Sequence, residues 1–453
     1  MRILRQLSFF GILCSLSLQA IEYKIDGNVV SSTRIGLSNN KTTDLSKGIY
    51  PNNSFWALSS QLGISLKLLD TEHKVTLGLK GMVGGVALDT TREGASIFPS
   101  NATSGKDSMG DFTAVYMPAW GEIINAYVTY SYKDFFGFKA GRYDFMNTDW
   151  WSGHNEGAEF FIGKESLRFY TIYTHRRSSS NLEWLNHFDA RNADINRFGI
   201  FVFGVDSAFE IGNQKLSLRP YLYYQPGVYV DPGFKIVHES NKDFQGEGIN
   251  FKTTFLTLFA MHDKNIQNKL SGQDWGYQAL YDSNAISAYN PSGYLGRTHG
   301  EGGVTLFLRE DIFIDNYNVG AGIYKNFGNA NDLISSYGDP TGLNTWVYTL
   351  YSTGPTWSDF FSQDALSGFV FGGGKYECWK WDLIGRYTYA PRSNENSIAL
   401  LLGYDFTPNI NLNLRLEWAG TYNKAGYKIS QTYLKENIYT DKSMIFWYLS
   451  AKL

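Results

Sequence analysis

Seven histidines, His73, His154, His175, His187, His238, His262 and His299, are the side chains best suited to move protons near neutral pH. Nucleophilic catalysis needs one of them beside an activated hydroxyl or thiol. The chain has no Gly-x-Ser-x-Gly turn and no Ser–His spacing of that kind, so an enzyme is not expected. No Cys/His cluster has zinc-ligand spacing, and neither a metal nor another cofactor is expected. What the residues offer is electrostatics. Lys67, Lys74, Lys80, Lys139, Arg168, Arg219, Arg309, Lys380, Arg386 and Arg415 fall on the polar parity of alternating segments, with Asp382, Asp405 and Glu417 as acidic counterparts. Cations lining a narrow passage with low-dielectric walls attract anions. A second feature runs from Gly141 to Glu159, where alternation breaks and Trp150, Trp151, His154 and Glu156 sit among Gly, Asn and Asp. Such an insertion after an early strand predicts a constriction loop over 142–159 that folds inward. Alternation from Phe136 and Phe138 points Arg142 outward, so a bulge or strand end at Gly141 is expected to turn it inward.

The elements that position these residues are read from periodicity. Ile410, Leu412, Leu414, Leu416 and Trp418 alternate with Asn411, Asn413, Arg415 and Glu417. Leu62, Ile64, Leu66 and Leu68 form one such face, and Val304, Leu306 and Leu308 another. The helical pattern of i, i+3, i+4 and i+7 is not sustained after the leader. Short connections fall near 70–72, 133–134, 164–165, 213–214, 315–316, 377–378 and 407–409. Long polar ones fall near 36–52, 88–118, 177–196, 231–246, 283–299, 327–365 and 421–441. Short turns at one end and long loops at the other predict an all-β chain: a closed antiparallel transmembrane β-barrel of 16–18 strands, 18 favoured, with short periplasmic turns and long extracellular loops. Composition agrees. Of 453 residues 16% are aromatic and only 18% charged, which suits strands with one face in lipid and one in water.

The ends of the chain set its location. Arg2 and Arg5 precede an apolar run from Leu7 to Leu18, which predicts a signal peptide over 1–20 and a single barrel domain over 21–453. Without those two arginines, 38 of the 40 basic residues remain against 43 acidic ones, a net charge of −5 that argues against nucleic acid. Only Cys378 remains of the two cysteines, so no intramolecular disulfide forms. The last strand carries Ile445, Trp447, Leu449, Ala451 and Leu453 on one face, the signal by which barrel-assembly machinery reads its clients. The expected place is the cell outer membrane, among lipid and lipopolysaccharide, as a monomer or homotrimer.

Several stretches together carry a resemblance. They are the leader, Lys47-Gly48-Ile49-Tyr50-Pro51, Gly141-Arg142-Tyr143 through Gly157-Ala158-Glu159, and Trp184 to Asp189. With them the chain resembles the Hof-type outer-membrane proteins of Helicobacter and, more distantly, the OprD-like substrate-specific porins. The resemblance implies an 18-stranded barrel with a narrow channel and a row of basic residues for carboxylate-bearing solutes. Arg142 is the one residue that matches a motif position. The proline-rich constriction of those porins is missing between Tyr143 and Glu159. The leading expectation is therefore a porin for passive diffusion of small hydrophilic solutes, with anionic ones favoured by the basic track. The alternative is an adhesin or surface-binding protein that uses the long loops.

Overall fold

Alternation in sequence becomes a sheet with two unlike faces, and closing that sheet pairs every strand edge. The computed structural model describes residues 22–37, 54–89, 121–145, 148–164, 166–178, 188, 190, 198–244, 248–261, 263, 302–328, 340–343, 360, 364–391, 393–426, 428–429, 432–433 and 435–453. The signal peptide at 1–20, the Lys47–Pro51 segment, His187, His262, His299 and most of the long loops lie outside them.

Eighteen strands form the wall. They are β1 (Glu22–Gly36), β2 (Phe55–Asp70), β3 (His73–Asp89), β4 (Gly121–Tyr132), β5 (Phe136–Asp144), β6 (His154–Lys164), β7 (Leu167–Ser178), β8 (Ile200–Ile211) and β9 (Gln214–Gln225). Then follow β10 (Tyr229–Glu239), β11 (Ile249–Ala260), β12 (Gly303–Ile314), β13 (Tyr317–Gly328), β14 (Leu366–Tyr376), β15 (Trp379–Tyr389), β16 (Ser393–Thr407), β17 (Ile410–Asn423) and β18 (Met444–Lys452). Each pairs antiparallel with the next. The last strand pairs with β17 and also with β1, from Asn28↔Lys452 to Gly36↔Met444, which closes the barrel. Outside the wall, Ile438–Asp441 extends the outer end of β17, and Lys428–Ile429 pairs with Thr432–Tyr433. No described helix is long and apolar enough to cross a membrane; the strands do the crossing.

The first strand begins and the last strand ends at the periplasmic end, with the tight turns. Lys133, Asp315 and Glu377 in those turns take left-handed φ values of 48°, 51° and 52°, as two- and three-residue hairpins require. The sorting of short and long connections has exceptions. The expected loop at 231–246 is a strand over most of its length, because Tyr229–Glu239 pairs with β9 throughout. Asp231-Pro232-Gly233 reads as a turn in sequence. In the barrel the bonding between β10 and the chain of β11 resumes beyond Pro232, where the Val230 N–H donates to the Met261 carbonyl at 2.9 Å, in register with Gly233↔Leu258. Its missing N–H leaves one bond of that row unmade, and the pairing closes again on the outer side of it. As a consequence the outer connections at 226–228 and 390–392 are short, and the longer 240–248 connection lies at the periplasmic end.

The lipid-facing parity is apolar and exposed: Leu62, Leu79, Val319, Ile323, Val370, Ile398 and Trp418 are among many large side chains left open. Aromatics gather at its periplasmic margin, where Tyr317, Tyr376, Trp379 and Phe406 form part of an interfacial belt. On the inner face, glycines opposite aromatics let rings lie flat on the wall. Tyr170 lies across Gly204, its register partner, and leaves no room for a Cβ there. In the last strand, Met444, Phe446 and Ser450 are buried while Leu449 is 44% exposed, so the Ile445–Trp447–Leu449 face meets lipid. Trp447→Arg places a charge on that face. It is expected to lower stability by about 2–4 kcal/mol if the site is near the midplane, read as a shift in denaturant midpoint in bilayers. An unchanged midpoint would overturn the face assignment.

Candidate functional site: the narrowed lumen

An 18-stranded barrel is wide enough to hold water along its whole axis. Here part of that width is filled. The chain between β5 and β6 turns inward, and Trp150 and Trp151 become 0% and 1% exposed. The Trp150 indole N–H donates to Tyr221 Oη at 2.9 Å, and Tyr221 donates onward to the Thr257 carbonyl at 2.8 Å. Trp151 meets the edge of Phe145, and the Arg177 guanidinium lies 5.5 Å over its ring. The loop ends on a charged anchor: Asp149 is 2.5 Å from Lys235 Nζ and 3.9 Å from Arg219 Nη1.

A second insert enters from the connection between β13 and β14. Phe360 is fully buried, its ring centroid 4.3 Å from that of Tyr324, and its carbonyl accepts from Asn326 Nδ2 at 3.1 Å. In the same connection the Thr341 carbonyl accepts from Arg309 Nη1 at 2.6 Å, and Leu343 packs nearby. With Leu256, Leu258, Phe307, Phe369 and Phe371 of the wall, the two inserts form one apolar cluster inside the barrel. The expectation of a wholly polar, wetted lumen face is corrected on this side. Inward parity there carries rings that the inserts cover.

The constriction segment is also shorter than 142–159. Residues up to Asp144 and from His154 onward are strand, and 145–153 connects them, with 146–147 outside the described residues. His154 Nδ1 sits 2.8 Å from Asp144 Oδ1 and 3.2 Å from Asn125 Oδ1, at the strand end rather than in the loop. The abundance of Gly, Asn and Asp hid this strand start, because its partners Arg176, Arg177 and Ser178 lie on the next strand.

Arg142 departs from expectation as well. The register runs unbroken through Gly141, with Ala140↔Ala158, Gly141↔Gly157 and Arg142↔Glu156. Gly141 takes φ +118°, yet no bulge interrupts β5. Arg142 therefore stays in phase with Phe138 and Ala140. Its charge is met instead by Glu122 at 2.7 Å and Glu156 at 2.9 Å, with the Phe188 ring 4.2 Å from the guanidinium carbon. Phe188 is the one described residue of the Trp184–Asp189 stretch.

The other predicted cations lie on the inward parity, and most have a carboxylate partner. Lys67 pairs with Glu22 and Asp70, Lys80 with Asp26, and Lys380 with Asp405. Arg219 pairs with Asp206, Arg309 with Asp311, Arg386 with Glu395, and Arg415 with Glu417. Lys139 stands 4.6 Å and 4.5 Å over the Tyr127 and Tyr143 rings, opposite Glu159 in register. Arg168 lies 4.5 Å over Phe161. Sequence reading missed Lys235, which sits in the strand taken for a loop, and the buried Arg34 of β1. It also missed Lys442, just outside the last strand. Burial, with help from Arg34, pushes that ammonium down to about 7 while Asp441 opposes the shift.

Below the Asp149 anchor the wall holds a cavity of about 370 Å³. Arg168, Arg219, Lys235 and Lys215 line it, with Asp206 and Glu239. No group of three or more metal-ligating side chains occurs among the described residues.

A closed barrel of 18 antiparallel strands, apolar outside, charged inside and narrowed by an inward loop, defines an outer-membrane barrel of the porin fold. The chain belongs to a family of Helicobacter outer-membrane proteins, described as "Putative outer membrane protein", whose pattern matches residues 8–453. Solved structures that share the fold include the following three. Acinetobacter baumannii OccAB4 is 12% identical with a TM-score of 0.59, over 97% of this chain and 99% of that one. Pseudomonas aeruginosa OpdK, solved with vanillate, is 12% identical with a TM-score of 0.60, over 95% and 98%. Pseudomonas aeruginosa OprD is 8% identical with a TM-score of 0.56, over 95% of each chain. No curated protein matches the sequence.

Proposed function

We propose that this chain is a passive diffusion channel for small hydrophilic solutes that favours anionic, carboxylate-bearing ones. The observation that carries the reading is the seat of Asp149. At the narrowed level the chain's own carboxylate rests on Lys235 and Arg219, and the cavity beside it adds Arg168 and Lys215. Lys235 at hydrogen-bond distance and Arg219 at 3.9 Å hold one carboxylate between them, and they offer the same chemistry to a carboxylate on a passing solute. The vanillate in the OpdK structure is a solute of that chemical class. We assign the last strand, with its Ile445–Trp447–Leu449 face, to recognition by the barrel-assembly machinery, and the surrounding partners to outer-membrane lipid and lipopolysaccharide.

Reversal potential under a salt gradient tests the selectivity. The wild-type channel is expected to favour anions. Arg219→Gln and Lys235→Gln should each move the reversal potential toward cation preference, since field focusing makes every charge at a constriction count. Arg142 shares the outward parity of Phe138 and Ala140, so Arg142→Ala serves as the contrast and should leave the reversal potential near the wild-type value. Reversal potentials equal to wild type in both the Arg219 and Lys235 variants would leave the basic residues as plain lining and defeat the anion reading.

A further inference from the structure

The lipid-facing parity of β10, β11 and β12 is interrupted by one polar row. His238 pairs with Thr253 in register, and Thr253 pairs with Glu310. All three share the outward face with Phe251, Phe255, Leu308 and Ile312, whereas Arg309 and Asp311 on either side of Glu310 point inward and bind each other. The Thr253 hydroxyl donates to Glu310 Oε2 at 2.6 Å, and His238 Nε2 lies 3.2 Å from Gln214 Oε1. No described cation pairs with Glu310. The nearest residue across the β13 side is Ala321, its register partner, which is small and exposed and leaves a notch beside the carboxylate.

Depth makes this acid unusual. Glu310 lies four residues from Ile314, the periplasmic end of β12. At about 3.3 Å per residue and a tilt near 40°, that is on the order of 10 Å above the strand end. A carboxylate at the lower margin of the hydrocarbon band needs a counter-ion. We propose that the Glu310–Thr253–His238 row binds the headgroup of an ammonium-bearing phospholipid of the periplasmic leaflet, of the phosphoethanolamine type. The primary ammonium donates to the Glu310 carboxylate in the Ala321 notch, and the phosphate faces His238, one residue from the end of β10. The order of groups, carboxylate deeper and imidazole nearer the periplasm, matches a headgroup whose ammonium folds back toward the bilayer. Phe251, Phe255, Leu308 and Ile312 beside the row are bulky and apolar, which suits acyl chains better than the polar rim of a protein partner.

Native mass spectrometry of the detergent-folded full-length chain tests this. Equal amounts of phosphatidylethanolamine and phosphatidylglycerol are added to wild type, Glu310→Gln and Thr253→Val. Wild type is expected to retain phosphatidylethanolamine roughly tenfold over phosphatidylglycerol, and Glu310→Gln to lose that ratio, the loss of one charge-assisted contact. Thr253→Val should weaken it less. Band shift on heating confirms that each variant is folded. Equal retention of both lipids by wild type, or an unchanged ratio in Glu310→Gln, overturns the site. Loss of a dimer or trimer peak in Glu310→Gln, with lipid retention unaltered, overturns it too and assigns the row to contact between copies.

Discussion

Arg386→Ala is expected to destabilise the barrel by about 3–5 kcal/mol, because it removes one partner of a buried ion pair and strands the other. Arg386 Nη1 lies 2.8 Å from Glu395 Oε2, and both side chains are only 1% exposed. The same nitrogen donates to Thr388 Oγ1 at 2.8 Å, which in turn meets Ser367, so the pair ties β14, β15 and β16 together. Truncation takes the Arg386 cation away from the Glu395 carboxylate in a site closed to water. Protonation or local opening must then follow, and either lowers the denaturant midpoint. Adding Glu395→Gln to Arg386→Ala should recover part of the loss, since the orphaned charge goes with it. Lys67→Ala provides the contrast. Its pair with Glu22 is solvent-exposed, and unfolding should be unchanged within error. A midpoint for Arg386→Ala equal to that of Lys67→Ala would show that water reaches the Arg386 site.

The largest functional change is expected from freeing the loop between β5 and β6. Asp149→Ala removes its bond to Lys235 and Arg219, and Trp150→Ala removes the ring that fills the space beside Tyr324 together with the hydrogen bond to Tyr221. The double variant loses both the polar and the apolar attachment of the same few residues. Single-channel conductance should rise by about twofold or more, because ion flux through a pore is governed by its tightest section. Asp149→Ala alone should show frequent switching between two levels as the loop docks and leaves. A double variant with wild-type conductance would place the limiting section elsewhere, with the Phe360 insert the next to test.

The barrel was legible because alternation is a local property: one residue in, one out, needs no knowledge of the partner strand. Inward parity for Lys67, Arg219, Arg386 and Arg415 follows from that alone. The pairing of those cations does not. Glu395 lies on the strand after Arg386, and Asp206 on the strand before Arg219, and which residues face each other depends on register. Register is set by turns and bulges, such as the shifts at Lys80/Gly81 and Glu156/Gly157, that a single sequence shows poorly. Pro232 misled in the opposite direction. A residue that costs one ladder bond is tolerated near the outer end of β10, where Val230 bonds to Met261 beyond it and the pairing with β9 runs unbroken. The Trp150–Trp151 pair was visible as a break in pattern, whereas Phe360 and Thr341 were hidden in a long polar connection. Their contacts with Tyr324 and Arg309 each span more than thirty residues of chain.

Single-channel recording of the refolded wild-type chain in a planar bilayer, under a salt gradient, tests the central claim most directly. A narrowed, charge-lined barrel predicts discrete conductance steps of one small unit size with a reversal potential on the anion side. A bilayer that stays silent after insertion of heat-modifiable, sheet-rich protein would contradict the claim that this barrel is an open channel.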